Sequence, residues 1–291
     1  LIDLFSNFFL IILSSFDSAL GPSFWLKIYY SLMSLNFKSI ILSSIFIFYI
    51  LFLYSRYSEL KNFKKNPEII ISFVLIFISS CFMFSLTGRY LIIDFNLGNR
   101  VTIYLSLLVS VIFISFLDRR IFLFISCSFI LCFVGLSEHW KKTYNQNINI
   151  IDNIYNNENF HSLGDSLILI NGARYSKLGF LDNIEFFSMP WVVNDIFQDS
   201  NDIINVTSIS SYLRINENYI IDTKFNKKYF ITKKIFLYDV FDNKIKEINK
   251  TDLINLINSS RDLRHWYQFY QFDFINKLII SLSPRLMYML E

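Results

Sequence analysis

The stretch DRRIFLFISCSFILCFVGLSEHWKKTYNQN, Asp118 to Asn147, changes character partway along. From Ile121 to Leu136 it carries no charge. From Ser137 onward Glu, His, Lys, Asn and Gln crowd in. Nearly all the long apolar runs of the chain lie before Ser137, and the remainder of the chain is polar and rich in Asn, Asp and Lys. The chain is 53% hydrophobic with a mean hydropathy of +0.40. Soluble proteins reach a similar apolar share, but they spread it by helical or strand period rather than in blocks. The break therefore predicts two parts: a transmembrane domain over 1–137 and a water-facing domain over 138–291.

Working back from the break, uncharged runs occur at Ile40 to Tyr54, Ile69 to Leu86 and Val101 to Leu117. Each run is slightly short of the roughly 20 apolar residues that a 30 Å hydrocarbon core requires. Tyr54, Tyr90 and Trp140 complete them, because aromatic rings settle at the membrane interface. With the opening run LIDLFSNFFLIILSSF, this predicts five spans: 1–16 (the tail of a span cut by the start of the fragment), 39–55, 69–86, 101–117 and 121–137. The opening run has no charged n-region and no small-residue cleavage site, so it does not read as a signal peptide.

Basic residues set the orientation. Up to Ser137 there are ten Lys and Arg against six Asp and Glu; the remainder has seventeen against eighteen. The loop RYSELKNFKKNPE, with Arg56, Lys61, Lys64 and Lys65, is expected in the cytoplasm. So is the turn Asp118-Arg119-Arg120, which makes the last two spans a helical hairpin. Parity then places the segment from Asp17 to Lys38, and everything after Ser137, on the outer side. Within the first of these, Pro22 opens a short helix with Trp25, Tyr29 and Tyr30, read as amphipathic and interfacial.

The water-facing part begins with a helix carrying Ile148, Ile151, Ile154 and Tyr155 on one face. SLILIN, bracketed by Gly164-Asp165 and Asn171-Gly172, reads as a buried strand. Pro190 opens a helix, PWVVNDIFQD. Strands are expected at IINVTSI, NYIIDTKF and KKIFLYDVF, the last turning at Asp242-Asn243 into KIKEI, and Thr251 opens a helix TDLINLINSS. The fold class expected is thus an α-helical polytopic membrane domain followed by a small extracytoplasmic α/β domain with a mixed sheet. The tail after Arg261 is read as an amphipathic C-terminal helix.

Several chemistries find no support. A net charge of +3 without a basic stripe does not point to nucleic acid. His139, His161 and His265 lack metal-ligand spacing, and Cys81, Cys127 and Cys132 all lie in apolar runs. No phosphate-cradling glycine loop and no other cofactor signature is evident. His161, Asp165 and Ser166 are close in sequence, but a helix-to-strand turn accounts for them. The stretch that stands out is GRYLIIDFNLGNRV, Gly88 to Val101. Arg89 and Arg100 end two spans on the outer side and present two guanidiniums to an anion such as a lipid phosphate. Asp94 either leaves them free or pairs with one and braces the loop.

That loop, the closing hairpin and the pattern DSLILING…GFLDNIEFFSMPWVVNDIF resemble the C-terminal half of bacterial polytopic membrane proteins of the GT-C glycosyltransferase type. The resemblance implies transfer of a sugar from a polyprenyl-phosphate donor at the outer membrane face, for cell-envelope glycans. It makes Arg89, Tyr90 and Arg100 the residues that contact the donor phosphate. The family's essential acid sits in a first outer loop that the fragment is read as lacking, so the resemblance carries over no catalytic base. The competing expectation is a non-catalytic membrane protein whose outer α/β domain binds an envelope partner. In either case the bilayer is the first partner.

Overall fold

The structure, a computed structural model, describes residues 2–56, 67–87, 103–164, 166–179, 181–201, 205–210, 212–231 and 234–261. These form two compact units, one up to Trp140 and one from Lys141. The expected C-terminal amphipathic helix lies outside the described residues.

The first unit is helical: α1 (Ile2–Ala19), α2 (Pro22–Met33), α3 (Phe37–Arg56), α4 (Pro67–Thr87), α5 (Ile103–Phe116) and the first part of α6 (Arg119–Tyr155). Among the described residues, four stretches are long and apolar enough to cross a membrane: Leu4–Met33, Phe37–Arg56, Pro67–Leu86 and Arg120–Tyr155. Helix α5 is apolar throughout but has only 14 residues, about 21 Å at 1.5 Å per residue.

Burial in this unit is inverted relative to a water-soluble bundle. Ser15, Ser39, Ser43 and Ser85 are buried, whereas Phe37, Phe48, Phe124 and Phe133 are each about three-quarters exposed. Serine hydroxyls along these helices bond back within their own helix. Ser43 Oγ donates to the Ser39 carbonyl at 2.6 Å, Ser72 to Glu68 at 2.8 Å, Ser110 to Ser106 at 2.8 Å and Ser126 to Phe122 at 2.8 Å. Such back-bonding is what a hydroxyl requires where water is scarce, and small residues at the contacts let helices approach closely.

Helices α1, α4 and α5 pack together. Ile11 and Cys81 are buried at this contact, with Phe8, Phe77 and Phe84 around them. Helix α2 lies along α6. Phe24 meets Phe129 edge-to-face at 6.1 Å, Ser31 meets Gly135, and Asn36 Nδ2 donates to Glu138 Oε2 at 2.8 Å. The pairs rise together in number, so the two helices run in the same direction. A Cβ on Gly135 would overlap the Ser31 carbonyl. Glycine costs about 1 kcal/mol in a helix interior, and here it is what permits the contact.

The second unit begins inside α6. The change of polarity at Ser137 suggests a span and then a separate helix, but α6 runs 37 residues without a break. From Arg119 to Tyr155 the polarity changes while no proline interrupts the helix. After a 3-10 turn (Glu158–Ser162) come β1 (Leu167–Asn171), the hairpin β2 (Tyr175–Leu178) and β3 (Leu181–Glu185), then α7 (Pro190–Asn201) and β4 (Val206–Ser208). A three-stranded antiparallel sheet comes next: β5 (Leu213–Ile215), β6 (Tyr219–Asp222) and β7 (Lys227–Phe230). The unit closes with β8 (Ile235–Asp239), β9 (Lys244–Ile248) and α8 (Lys250–Arg261).

The main sheet has the order β4-β1-β8-β9, with β1 parallel to both neighbours and β9 antiparallel to β8. It is the mixed sheet expected, and β1 is its centre. Strand side chains alternate between faces, and β1 feeds two cores. Ile168 and Ile170 pack with Ile154, Phe160, Val193, Phe197 and Tyr238 on the α6/α7 face. Leu167 and Leu169 pack with Leu213, Ile220, Tyr229, Leu253 and Ile257 on the face covered by the second sheet and α8. Phe160 meets Phe197 and Tyr238 edge-to-face at 5.2 and 5.0 Å.

Both units can be probed through their packing. Gly135→Leu will lower the melting temperature of the purified protein in detergent, whereas Gly135→Ala will do so less, since its single methyl displaces α2 by a smaller step. Burial pushes the phenols of Tyr229 and Tyr238 up to about 12. An unfolded tyrosine loses its proton near pH 10, so between pH 10 and about 12 the unfolded state binds fewer protons and stability falls as pH rises. Alkaline titration followed by far-ultraviolet circular dichroism will show unfolding in that window. The double variant Tyr229→Phe/Tyr238→Phe will move the transition to higher pH.

Candidate functional site

The residues singled out in the sequence as donor-phosphate contacts, Arg89, Tyr90 and Arg100, and the bracing Asp94, all lie outside the described residues. Two other places in the fold concentrate polar chemistry.

The first is Asp17, in the last turn of α1. The sequence pattern puts it at the start of a loop; it is helical and fully buried. Its Oδ1 accepts the Ser23 N–H at 2.9 Å, and Ser23 Oγ donates to the Asp17 carbonyl at 3.1 Å. Ser23 is the second residue of α2, so the carboxylate caps that helix and offsets the positive end of its dipole. Gly21 makes this possible, because a Cβ there would overlap Asp17 Cα and Oδ1. The other carboxylate oxygen, Oδ2, has no hydrogen-bond partner among the described residues, nor has Ser15 Oγ two residues earlier. A buried acid with one oxygen capped and one open can take a proton or a hydroxyl donor. The sequence does contain the signal: a lone acid just after an apolar run is costly enough to be noted.

The second place is the carboxyl edge of the parallel strands in the second unit. Strand β1 has β4 on one side and β8 on the other, so the strand order reverses there. Ligands of open α/β sheets bind outside such edges. On the β8 side the edge is closed by its own hydrogen bonds. Asn171 Nδ2 donates to Asp239 Oδ2 at 2.9 Å, while Asp239 Oδ1 accepts from the Phe241 and Asp242 N–H groups at 3.0 and 3.2 Å. On the β4 side the chain leaves β1 through Gly172 and Ala173, both at positive φ, 91° and 52°. For alanine that region is strained.

Beyond this bend the segment before α7 folds back. The Phe186 and Phe187 N–H groups donate to the Arg174 and Ala173 carbonyls at 3.0 and 3.3 Å, and Ser208 Oγ, at the end of β4, donates to the Phe187 carbonyl. Arg174 lies 5.1 and 5.6 Å from the ring centres of Tyr175 and Tyr212, and Lys224 lies 5.6 Å from that of Tyr212. Lys224 also stands 3.9 Å from the buried Glu185 carboxylate. Trp191, in the first turn of α7 and half exposed, meets Phe225 edge-to-face at 5.4 Å. None of these residues stands out as a site in the sequence. The only signal is the Asn171-Gly172 turn, which reads as a strand end.

An open groove of about 650 Å³ runs between α8 and the β5–β6 turn, lined by Arg214, Glu217, Lys250 and Asn258 among others. Lys250 Nζ there donates to the Glu217 carbonyl at 3.0 Å. Among the described residues no three His, Cys, Asp or Glu side chains converge to hold a metal. Asp17→Asn keeps an acceptor for the Ser23 N–H, whereas Asp17→Ala removes the cap. The alanine variant will therefore lose about 1 kcal/mol more stability than the asparagine variant, measured by denaturation in detergent. Comparison of the chain with protein-family models, with curated proteins and with solved structures finds no match.

Proposed function

We propose that the chain is part of a membrane glycosyltransferase of the GT-C type, which moves a sugar from a polyprenyl-phosphate donor to an envelope acceptor at the outer face. The observation that carries this reading is Asp17, a fully buried carboxylate with one unpartnered oxygen, in a unit where many large apolar side chains are exposed. The resemblance alone supplies no acid, and Asp17 provides one. In this reading its Oδ2 accepts the proton of the acceptor hydroxyl as that oxygen attacks the anomeric carbon. The bond from that carbon to the phosphate oxygen breaks, and the lipid phosphate departs with the negative charge. Arg89 and Arg100 meet that charge, with Tyr90 beside them.

The exposed phenylalanines and self-satisfied serines of the first unit support membrane insertion. The positive-inside distribution of Lys and Arg supports a bacterial inner-membrane setting with the second unit outside. A second reading is favoured by the polar sheet edge of that unit: a non-catalytic membrane anchor whose outer domain binds an envelope component.

Activity and topology are tested separately. Asp17→Asn, Arg89→Ala and Arg100→Ala will each cut surface-glycan transfer by about 100-fold or more while inserting normally. Unchanged transfer in all three, at normal membrane levels, overturns the roles given to Asp17, Arg89 and Arg100. In a cysteine-free background, Asp242→Cys will react with an impermeant maleimide on intact cells and Lys61→Cys will not. The reverse labelling pattern overturns the orientation.

A further inference from the structure

We infer that α1 and α2 form a re-entrant hairpin: it enters the membrane from the outer side, turns within the apolar layer at Leu20-Gly21 and returns to the side it came from. The inference rests on the first unit entering a bilayer, not on sugar transfer. The sequence suggests a span that ends near Phe16, followed by an interfacial helix. The pairing of α2 with α6 points elsewhere. Phe24 meets Phe129, Ser31 meets Gly135 and Asn36 meets Glu138, so α2 rises beside the uncharged run of α6 toward its polar limit. Gly21, three residues before Phe24, falls level with about residue 126 of α6, roughly 9 Å from Arg120 and 15 Å from Leu136 at 1.5 Å per residue. The turn therefore lies inside the layer.

The direction of α1 follows from its own contact. Ile11 is buried with Cys81 of α4. Cys81 is fourteen residues past Pro67, the end of α4 next to the basic loop, and so lies about 21 Å up the layer. Ile11 is ten residues before Gly21, about 15 Å along the chain. If α1 descends to the turn, Ile11 stands about 24 Å up, within one helical turn of Cys81. If α1 rose to the turn instead, Ile11 would stand below the Arg120 end, roughly 27 Å from the level of Cys81. The contact selects descent. The turn is also built for a place without water. A Cβ on Gly21 would come 2.5 Å from Asp17 Cα, so the chain folds back on the last turn of α1. The Phe16 carbonyl accepts the Leu20 and Gly21 N–H groups at 2.9 and 3.0 Å. Asp17 Oδ1 accepts the Ser23 N–H, Ser23 Oγ donates to the Asp17 carbonyl, and the Trp25 indole N–H donates to the Leu20 carbonyl at 3.0 Å. Pro22 has no N–H to satisfy. At an interface water would supply such partners; within hydrocarbon the chain must supply them itself. Lys27, the one cation of α2, has a stem long enough to carry its ammonium toward the outer interface.

The test uses the full chain, reconstituted in lipid and, in parallel, in cells. The first readout keeps Trp25 as the single tryptophan, through Trp140→Phe, Trp191→Phe and Trp266→Phe. Phosphatidylcholine brominated at mid-chain will then quench more of the Trp25 emission than lipid brominated next to the headgroup. The reverse order places α2 at the interface and overturns the proposal. The second readout uses Ser6→Cys in the cysteine-free background, at an exposed position fifteen residues before Gly21. It will react with the impermeant maleimide from the same side as Asp242→Cys. Reaction from the opposite side, together with Lys61→Cys, makes α1 a simple span and overturns the proposal as well. Neither readout involves glycan transfer, so the fate of the transferase reading leaves both unchanged.

Discussion

Where water is scarce, a polar group must find its partner within reach of its own backbone, and the first unit is built around that constraint. Its serines donate to carbonyls three or four residues back, so a helix can carry hydroxyls without needing neighbours to satisfy them. With that demand met, small polar residues are free to line the contacts, and large apolar ones turn outward. Gly135 against the Ser31 carbonyl is the closest of these approaches. Asp17 Oδ2 and Ser15 Oγ are exceptions among the described residues. A carboxylate has more acceptor capacity than one cap can fill, and the turn at Gly21 supplies only the Ser23 N–H. The open oxygen is thus a consequence of placing an acid in this scaffold, and it is where chemistry can enter.

The second unit answers a different constraint, the burial of one strand on both faces. Strand β1 has no polar side chain before Asn171, so it needs a cover on each side and a parallel neighbour on each edge. Those requirements generate the rest: α6 and α7 on one face, the small antiparallel sheet and α8 on the other. The chain leaves β1 toward β4 and leaves β8 toward β9, so the two central strands are exited in opposite senses at the carboxyl edge. The strained Ala173 follows β1 on its way to β4, and Asp239, held by its own hydrogen bonds, ends β8.

How far these features can be read from sequence depends on how local their causes are. The strand SLILIN is legible because turn residues bracket a continuous apolar run, and the helix at Pro190 because proline suits a first helical turn. The hairpin YSKL and LDNIE is not legible, because it has little apolar alternation; its strands are held by pairing with each other. Helix α6 reads as two elements because its polarity changes. Yet a helix is ended by lost hydrogen bonds or by proline, not by a change of solvent, and its polar half gains Ile150 and Ile154 as core contacts. The site residues are the least legible. Arg174, Tyr212 and Lys224 are common residue types, and only the fold brings them into contact, a long-range fact that no local pattern encodes.

The two candidate sites have opposite chemistry, and this bears on how they relate to function. Asp17 offers an acceptor in apolar surroundings, suited to drawing a proton from a hydroxyl. The sheet edge instead closes on itself, with Asp239 accepting from Asn171 and from the Phe241 and Asp242 N–H groups. An acid beside a lipid phosphate would repel it, so a transferase needs cations between the two, and that is the part assigned to Arg89 and Arg100. The sheet edge has no such conflict, because Glu185 and Asp239 are already engaged. It therefore has the character of a recognition surface rather than a reaction centre.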